Sequence, residues 1–376
     1  MADPPGAAAD AAFGADLLGA LHLPGENVVY SPASIAAVLR MLLLGARGET
    51  ADEITAALHL AAPAEAAAGL RLLSSGLGQL ESGDLTLRTP NTIWVQAGLP
   101  LEPEFSHAMA GVAQASVRDA NFATAPDQVR REINALIEEQ TAGKITEILQ
   151  PGQVDSDNRL ALVNAVYLKA AWRDPFEPEQ TRDAPFYPAA GEQLTVPMMR
   201  LTARLGYLAG DGYQAVVLPY VGGRLALAVI LPDGPLAPCE QKLAQRGTAG
   251  LLAGVNSQEV ALGLPRFRQE LRLNLQPVLQ RLGIEHAFGA MADFSGITTK
   301  DHLSVDVAAH MAYVDVDEHG TEAAAATAAV MTALAYVAKP PPVEVTVDRP
   351  FLYAIIDQQT SLPLFLGRVV RPGSLR

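Results

Sequence analysis

Hydrophobic periodicity changes along this chain, and that change limits the folds open to it more than any other feature. Early on, apolar residues recur at helical spacing. In "YSPASIAAVLRMLLLGARGETADEI", Ile35, Val38, Leu39, Leu42 and Leu43 fall at i, i+3, i+4, i+7 and i+8, the stripe of a helix that buries one face. Ser31 is placed to cap that helix and Pro32 suits its first position. Gly45 is positioned to end it, and Thr50 with Glu53 has the spacing of a capping box for the next helix. "RREINALIEEQTAGKI" is another amphipathic helix, with Ile133, Leu136 and Ile137 inward and Gly143 near its end. Later segments are short, apolar or alternating, and bounded by Gly, Pro or Asp, as strands are. They are "LALVNAVYLKAAW", "AVVLPY", "LALAVILP", "VALGLPRFR", "LSVDVAAHMAYVDV", "FLYAIID" and "PLFLGRVV". Helices gathered early and strands gathered late imply an α+β fold. No internal repeat and no Pro-, Gly- or Ser-rich linker divides the chain, so residues 1–376 are expected to form a single domain.

Composition excludes several classes of function. Of 376 residues, 49% are hydrophobic and 18% charged, enough to build a large core. The formal charge is −14, with the acids spread along the chain. Nucleic-acid and anionic-membrane binding need a basic face, so neither is expected. No apolar run is long enough to span a bilayer. The start, "MADPPGAAADAAFGADLLGALHL", lacks the basic head and continuous apolar block of a signal peptide. The compartment stays open between extracellular and cytoplasmic. The single cysteine, Cys239, lies in "GPLAPCEQ", a loop leading into a helix, and is expected to be a buried, idle thiol. Arg far outnumbers Lys and Ala is abundant, a codon signature of a GC-rich bacterial genome.

Catalytic signatures are absent. There is no G-x-S-x-G elbow, no phosphate-binding loop and no H-E-x-x-H. Histidines at 22, 59, 107, 286, 302, 310 and 319 form no i, i+4 pair. No two carboxylates stand out as an acid–base couple. Neither an enzyme, a metal site nor a cofactor is expected.

One segment resists a local assignment. "EHGTEAAAATAAVMTALAYVAKPPP" runs from Glu318 to Pro342. Alanine favours a helix over Glu322 to Ala338, with Val330, Met331, Leu334 and Val337 at helical spacing. Read as a strand, Thr321, Ala323, Ala325 and Thr327 fall on one face without charge or bulk. Such a strand can slide between two others. Gly320 offers a backbone hinge at its start, and Pro340, Pro341 and Pro342 force an extended exit.

"DEHGTEAAAATA" resembles the hinge of an inhibitory serpin, and "VEVTVDRPFLYAIID" with "SLPLFLGRVVRP" resembles that family's C-terminal signature. "NVVYSPASIAAVLRMLLLGARGETADEI", "NTIWV", "INALIEEQTAGKI", "LVNAVYLKAAWRDPF" and "LGIEHAFGAMADFSGI" match in order and spacing. The resemblance therefore covers nearly the whole chain. It implies three β-sheets, about nine helices and an exposed reactive-centre loop whose cut form inserts as a strand. It assigns hinge and loop to 318–342 and the last strands to 343–376. The hinge would comprise Glu318, Gly320, Thr321, Glu322, Ala323, Ala324, Ala325, Ala326 and Thr327. Ser31, Ser34, Asn164 and His310 would form a hydrogen-bonded shutter beneath the opening of the sheet, and Trp172 would stand at the breach above it.

The implied activity is inhibition of a serine protease, with a covalent acyl complex as the trapped state. The implied alternative is a non-inhibitory serpin acting as chaperone, carrier or store. Counting from the hinge places the reactive bond at Leu334–Ala335. Counting back from "VEVTVDRP" reaches Lys339, which Pro340 follows. Tyr336–Val337 and Met331–Thr332 are further alternatives. The apolar choices suit chymotrypsin-, elastase- or subtilisin-like targets. A heparin-type cofactor is not expected, because Arg71 and Arg88 are the only cations in "GLRLLSSGLGQLESGDLTLR". A monomer is expected, with loop-sheet polymers as its hazard.

Overall fold

The computed structural model describes residues 7–21, 23–78, 85–110, 112, 115–188, 191–322 and 340–373. Helices α1 (Ala7–Leu21), α2 (Pro32–Gly45), α3 (Gly48–Ala57), α4 (Glu65–Gly78), α5 (Pro103–Ala110) and α6 (Pro126–Gln140) precede α7 (Ala237–Leu251) and α8 (Gln276–Arg281). The strands begin with β1 (Val28–Tyr30), β2 (Leu85–Arg88), β3 (Asn91–Gln96), β4 (Ala115–Ala120), β5 (Leu160–Ala171), β6 (Arg182–Phe186), β7 (Leu194–Ala209) and β8 (Tyr213–Pro219). They continue with β9 (Leu225–Pro232), β10 (Asn256–Pro265), β11 (Phe267–Asn274), β12 (Val307–Val316), β13 (Gly320–Thr321), β14 (Val343–Thr346), β15 (Phe351–Asp357) and β16 (Pro363–Val369).

The α+β class holds, but its segregation along the chain is looser than the periodicity implies. Strands β2 to β4 lie among the early helices, and α7 and α8 among the late strands. Short strands such as "LTLR" carry too few residues for an alternating pattern to stand out.

Seven strands form one sheet in the order β11-β12-β13-β5-β3-β4, with β2 also beside β5. The nine-stranded sheet runs β1-β16-β15-β9-β8-β7-β10-β14, with β6 beside β7. Strand β7 is 16 residues long. Its start pairs with β6, its middle with β10 and its end with β8. The larger sheet thus divides at β7 into two portions, which with the seven-stranded sheet makes the three sheets expected.

Helix α2 runs through the core, touching β3 and β5 of one sheet and β16 of the other. A one-sided stripe was the sequence expectation. Instead every residue of α2 except Leu44 is buried, Arg40 included. Arg40 is held there by an ion pair with Asp10 of α1 at 2.5 Å. Ser31 caps α2 as expected, its Oγ accepting from the Ser34 N–H.

One local expectation holds and one is corrected. Gly45 is the last residue of α2, as expected. It closes the helix at a crowded contact, where an added Cβ would lie 2.2 Å from Cγ1 of Ile297. Thr50 and Glu53 do not form a capping box, because α3 already begins at Gly48. Their side chains reach other segments: Thr50 Oγ1 accepts from Asp293 N–H, and Glu53 Oε2 from the Glu285 and His286 N–H groups.

Helix α6 covers the other face of the seven-stranded sheet. Val129, Ile133 and Ile137 pack there with Tyr167 and Tyr313, and Leu136 packs at the margin. Its end is a Schellman turn, with Ala142 in the left-handed region (φ 53°) and the Gly143 N–H donating to the Glu138 carbonyl at 2.8 Å. Gly143 is therefore the second residue past the cap, and Ala142 takes the strained position.

Candidate functional site

The site is the centre of the seven-stranded sheet, where β5 and β12 meet. Over most of their length these strands pair directly and in parallel, from Val307 opposite Ala161 to Tyr313 opposite Tyr167. Above that point they part. Strand β12 ends in a tight turn in which Asp317 Oδ1 accepts the His319 and Gly320 N–H groups at 2.8 and 3.2 Å. The chain then returns as β13 between the two strands. Gly320 pairs with Ala171, and Thr321 pairs with Ala170 on one side and Val316 on the other.

Only glycine fits at the head of that wedge. A Cβ at 320 would lie 2.0 Å from the Ala170 carbonyl oxygen. Thr321 is fully buried, and its Oγ1 is 2.6 Å from the Tyr220 hydroxyl. Tyr220 stacks on Trp172 with ring centroids 4.5 Å apart and planes 8° from parallel. Trp172 Nε1 donates to the Asp317 carbonyl at 2.9 Å. The breach residue expected from the sequence is thus tied to the turn itself.

Glu318, in the turn, is 3% exposed and carries a charge. Arg266 Nε donates to both of its carboxylate oxygens at 2.7 Å, and the Thr181 hydroxyl donates to Oε1 at 2.5 Å. Burial works to raise the Glu318 pKa, but hydrogen bonds from Arg266 and Thr181 outweigh it and hold the carboxyl below its ordinary value. Beyond Thr321, Glu322 leaves the sheet with a left-handed backbone (φ 52°). It is neither helical nor a continued strand. Ala323 to Thr327, and the reactive-bond candidates Leu334, Ala335, Tyr336, Val337, Met331, Thr332 and Lys339, lie outside the described residues.

The four residues expected as a shutter, Ser31, Ser34, Asn164 and His310, come together lower in the same sheet, and register explains how. Asn91 pairs with Asn164, and Asn164 with His310, so β3, β5 and β12 set these side chains in one row. The start of α2 lies against that row. Asn164 Nδ2 donates to Ser34 Oγ and Asn91 Oδ1. His310 Nε2 accepts the Ser31 N–H at 3.2 Å, so Nδ1 carries the proton and donates to Asn164 Oδ1. Burial lowers the His310 pKa to about 3. The ring is therefore neutral, and the cluster is an uncharged, internally bonded clasp across the two central strands.

Sequence reasoning missed Asn91, Thr181, Tyr220 and Arg266. None lies near its partner in the chain, and no local pattern marks them. Asn91 had one signal: a polar residue opening the apolar run "NTIWV".

A family model described as "Serpin (serine protease inhibitor)" matches residues 8–372. The chain belongs to the serpin family. It is 36% identical over 377 residues to leukocyte elastase inhibitor of Bos taurus, an alignment covering 97% of this chain and 99% of that protein. It is also 36% identical to a serpin-like protein of Thermococcus kodakarensis over 96% of this chain and 84% of that one. Among solved structures, a serpin of the insect Tenebrio molitor described as highly specific shares 30% identity over the full length of both chains, with a TM-score of 0.86.

Proposed function

We propose that this chain is a suicide inhibitor of a serine protease, and that its cut loop inserts between β5 and β12. One observation carries the reading: β13 already occupies the top of that position, with Thr321 paired to both neighbours. The residues that follow, Ala323 to Thr327, are small and uncharged, so nothing in their side chains opposes further insertion.

The protease serine attacks the carbonyl carbon of Leu334 as it would any substrate. The Leu334–Ala335 amide breaks, the new amine of Ala335 departs, and Leu334 remains as an ester on the enzyme. The freed strand then adds to the sheet and gains main-chain hydrogen bonds on both edges. The tethered enzyme is carried along before water cleaves the ester. An apolar residue before the bond favours chymotrypsin-, elastase- or subtilisin-like enzymes, and similarity to an elastase inhibitor supports that class.

The test is incubation with chymotrypsin, pancreatic elastase, subtilisin and trypsin, followed by denaturing gels and mass measurement of the released peptide. The expected result is a detergent-stable band at the summed mass and a fragment running from Ala335 to Arg376. A different fragment moves the bond. Cleavage by all four without a covalent band overturns inhibition of these enzyme classes and favours the chaperone, carrier or storage reading.

A further inference from the structure

Glu322 stands where the wedge stops. Its N–H donates to the Asp315 carbonyl at 3.0 Å, tying the end of the described segment to β12. Its φ of 52° is left-handed, not the extended conformation of a strand. For a non-glycine residue that conformation costs free energy and needs something to hold it. The holding group is visible. The Glu322 carboxylate is ion-paired to Lys144 Nζ, with the Glu322 side chain 16% and the Lys144 side chain 37% exposed. Burial, and then the nearby Glu322 carboxylate, raise the pKa of the Tyr167 hydroxyl, which therefore lies beside the same carboxylate.

The position of this cluster matters more than its strength. Tyr167 and Tyr313 are the uppermost directly paired residues of β5 and β12. Both rings lie on the face covered by α6. Lys144 Nζ sits 5.8 Å from the centroid of the Tyr313 ring, and the Arg268 guanidinium 4.9 Å from it. Lys144 is delivered there by the Schellman turn that ends α6. One ammonium thus touches the hinge and the seam, and through its own chain position connects both to the helix lying across them. For residue 323 to follow 321 into the sheet, Glu322 must become extended, and Tyr167 and Tyr313 must separate. Both movements disturb the contacts of Lys144.

We propose that Lys144 is a positioning residue for loop insertion: it clamps Glu322 and keeps the β5–β12 seam closed below Thr321 until the loop is cut. This rests on the insertion reading given above, but its test needs no target protease. A synthetic peptide copying residues 323–334 is mixed with the uncut protein, and annealing into the sheet is followed by native gels and by the rise in melting temperature. A partly exposed ion pair contributes about 1 kcal/mol, so Lys144→Met is expected to speed annealing about five-fold. Lys144→Arg is expected to anneal like the natural protein, and Tyr167→Phe to shift the rate in the direction of Lys144→Met by less.

Annealing that is unchanged or slower in Lys144→Met overturns the clamp, even if that variant melts lower, because lost stability alone is what a merely structural lysine would give. A peptide that never anneals to any of these proteins overturns the clamp and the insertion reading together. Annealing that responds to Lys144 in a protein that traps no protease leaves the clamp standing and overturns the proposed inhibition.

Discussion

His310 is neutral in the folded chain because burial drives its pKa to about 3. In the unfolded chain the same ring titrates near the ordinary value of about 6.5. Below that value the unfolded state binds a proton that the folded state refuses, so stability falls as pH drops from about 6.5 toward 3, by up to about 1.4 kcal/mol per unit. His310→Gln should flatten the denaturation midpoint across that window relative to the natural protein. Parallel curves would show that another group sets the slope. Gly320 offers a second check at this scale. With the Ala170 carbonyl oxygen 2.0 Å from an added Cβ, Gly320→Val should cost about 1–3 kcal/mol as an overpacked contact. It should also expel Thr321 from the wedge, read as lost protection of the Thr321 amide in hydrogen exchange. An unchanged Tm and unchanged protection would contradict the close approach. The glycine was legible in the sequence as a hinge. That it is forced by a carbonyl of β5 was not, because the two residues lie far apart in the chain.

Helix α2 shows how local signals and tertiary contacts divide the control of an element. Its start is written locally, by Ser31 and Pro32. Ser31→Ala should cost about 1 kcal/mol through the lost cap. It should leave the His310 pKa low, since His310 accepts the backbone N–H of Ser31 and not its hydroxyl. Histidine NMR titration separates the two effects, and a His310 that begins to titrate near neutrality would refute the separation. The end of α2 is set elsewhere. Gly45→Ala gains about 1 kcal/mol of helix propensity. It also places a Cβ 2.2 Å from Cγ1 of Ile297, whose side chain is fully buried. The clash should win, giving a net loss read in the denaturation midpoint, and a stabilised variant would show that Ile297 yields. Strand β13 is the opposite case. Two residues carry no periodicity, and their pairing is imposed by β5 and β12 alone.

At the scale of the molecule, β5 and β12 pair directly except where β13 lies between them, and the proposed insertion leaves that seam room for one strand. A second copy's loop has the same composition as this chain's own. Mild heating should therefore produce ladders of polymers in size-exclusion chromatography, and the annealed peptide of residues 323–334 should suppress them by filling the slot. A monomeric profile through heating would argue against a seam that opens on heating. The sequence by itself determined the α+β class, most of the long elements, the capped start of α2 and the family resemblance. These follow from periodicity, turn residues and ordered motifs, all of which are local or additive along the chain. Only the tertiary structure decided where Asn91, Arg266, Tyr220 and Lys144 act. Their partners, Asn164, Glu318, Thr321 and Glu322, lie 73, 52, 101 and 178 residues away along the chain. Strand register and the packing of α6 bring them together, and neither can be read from the chain's local preferences.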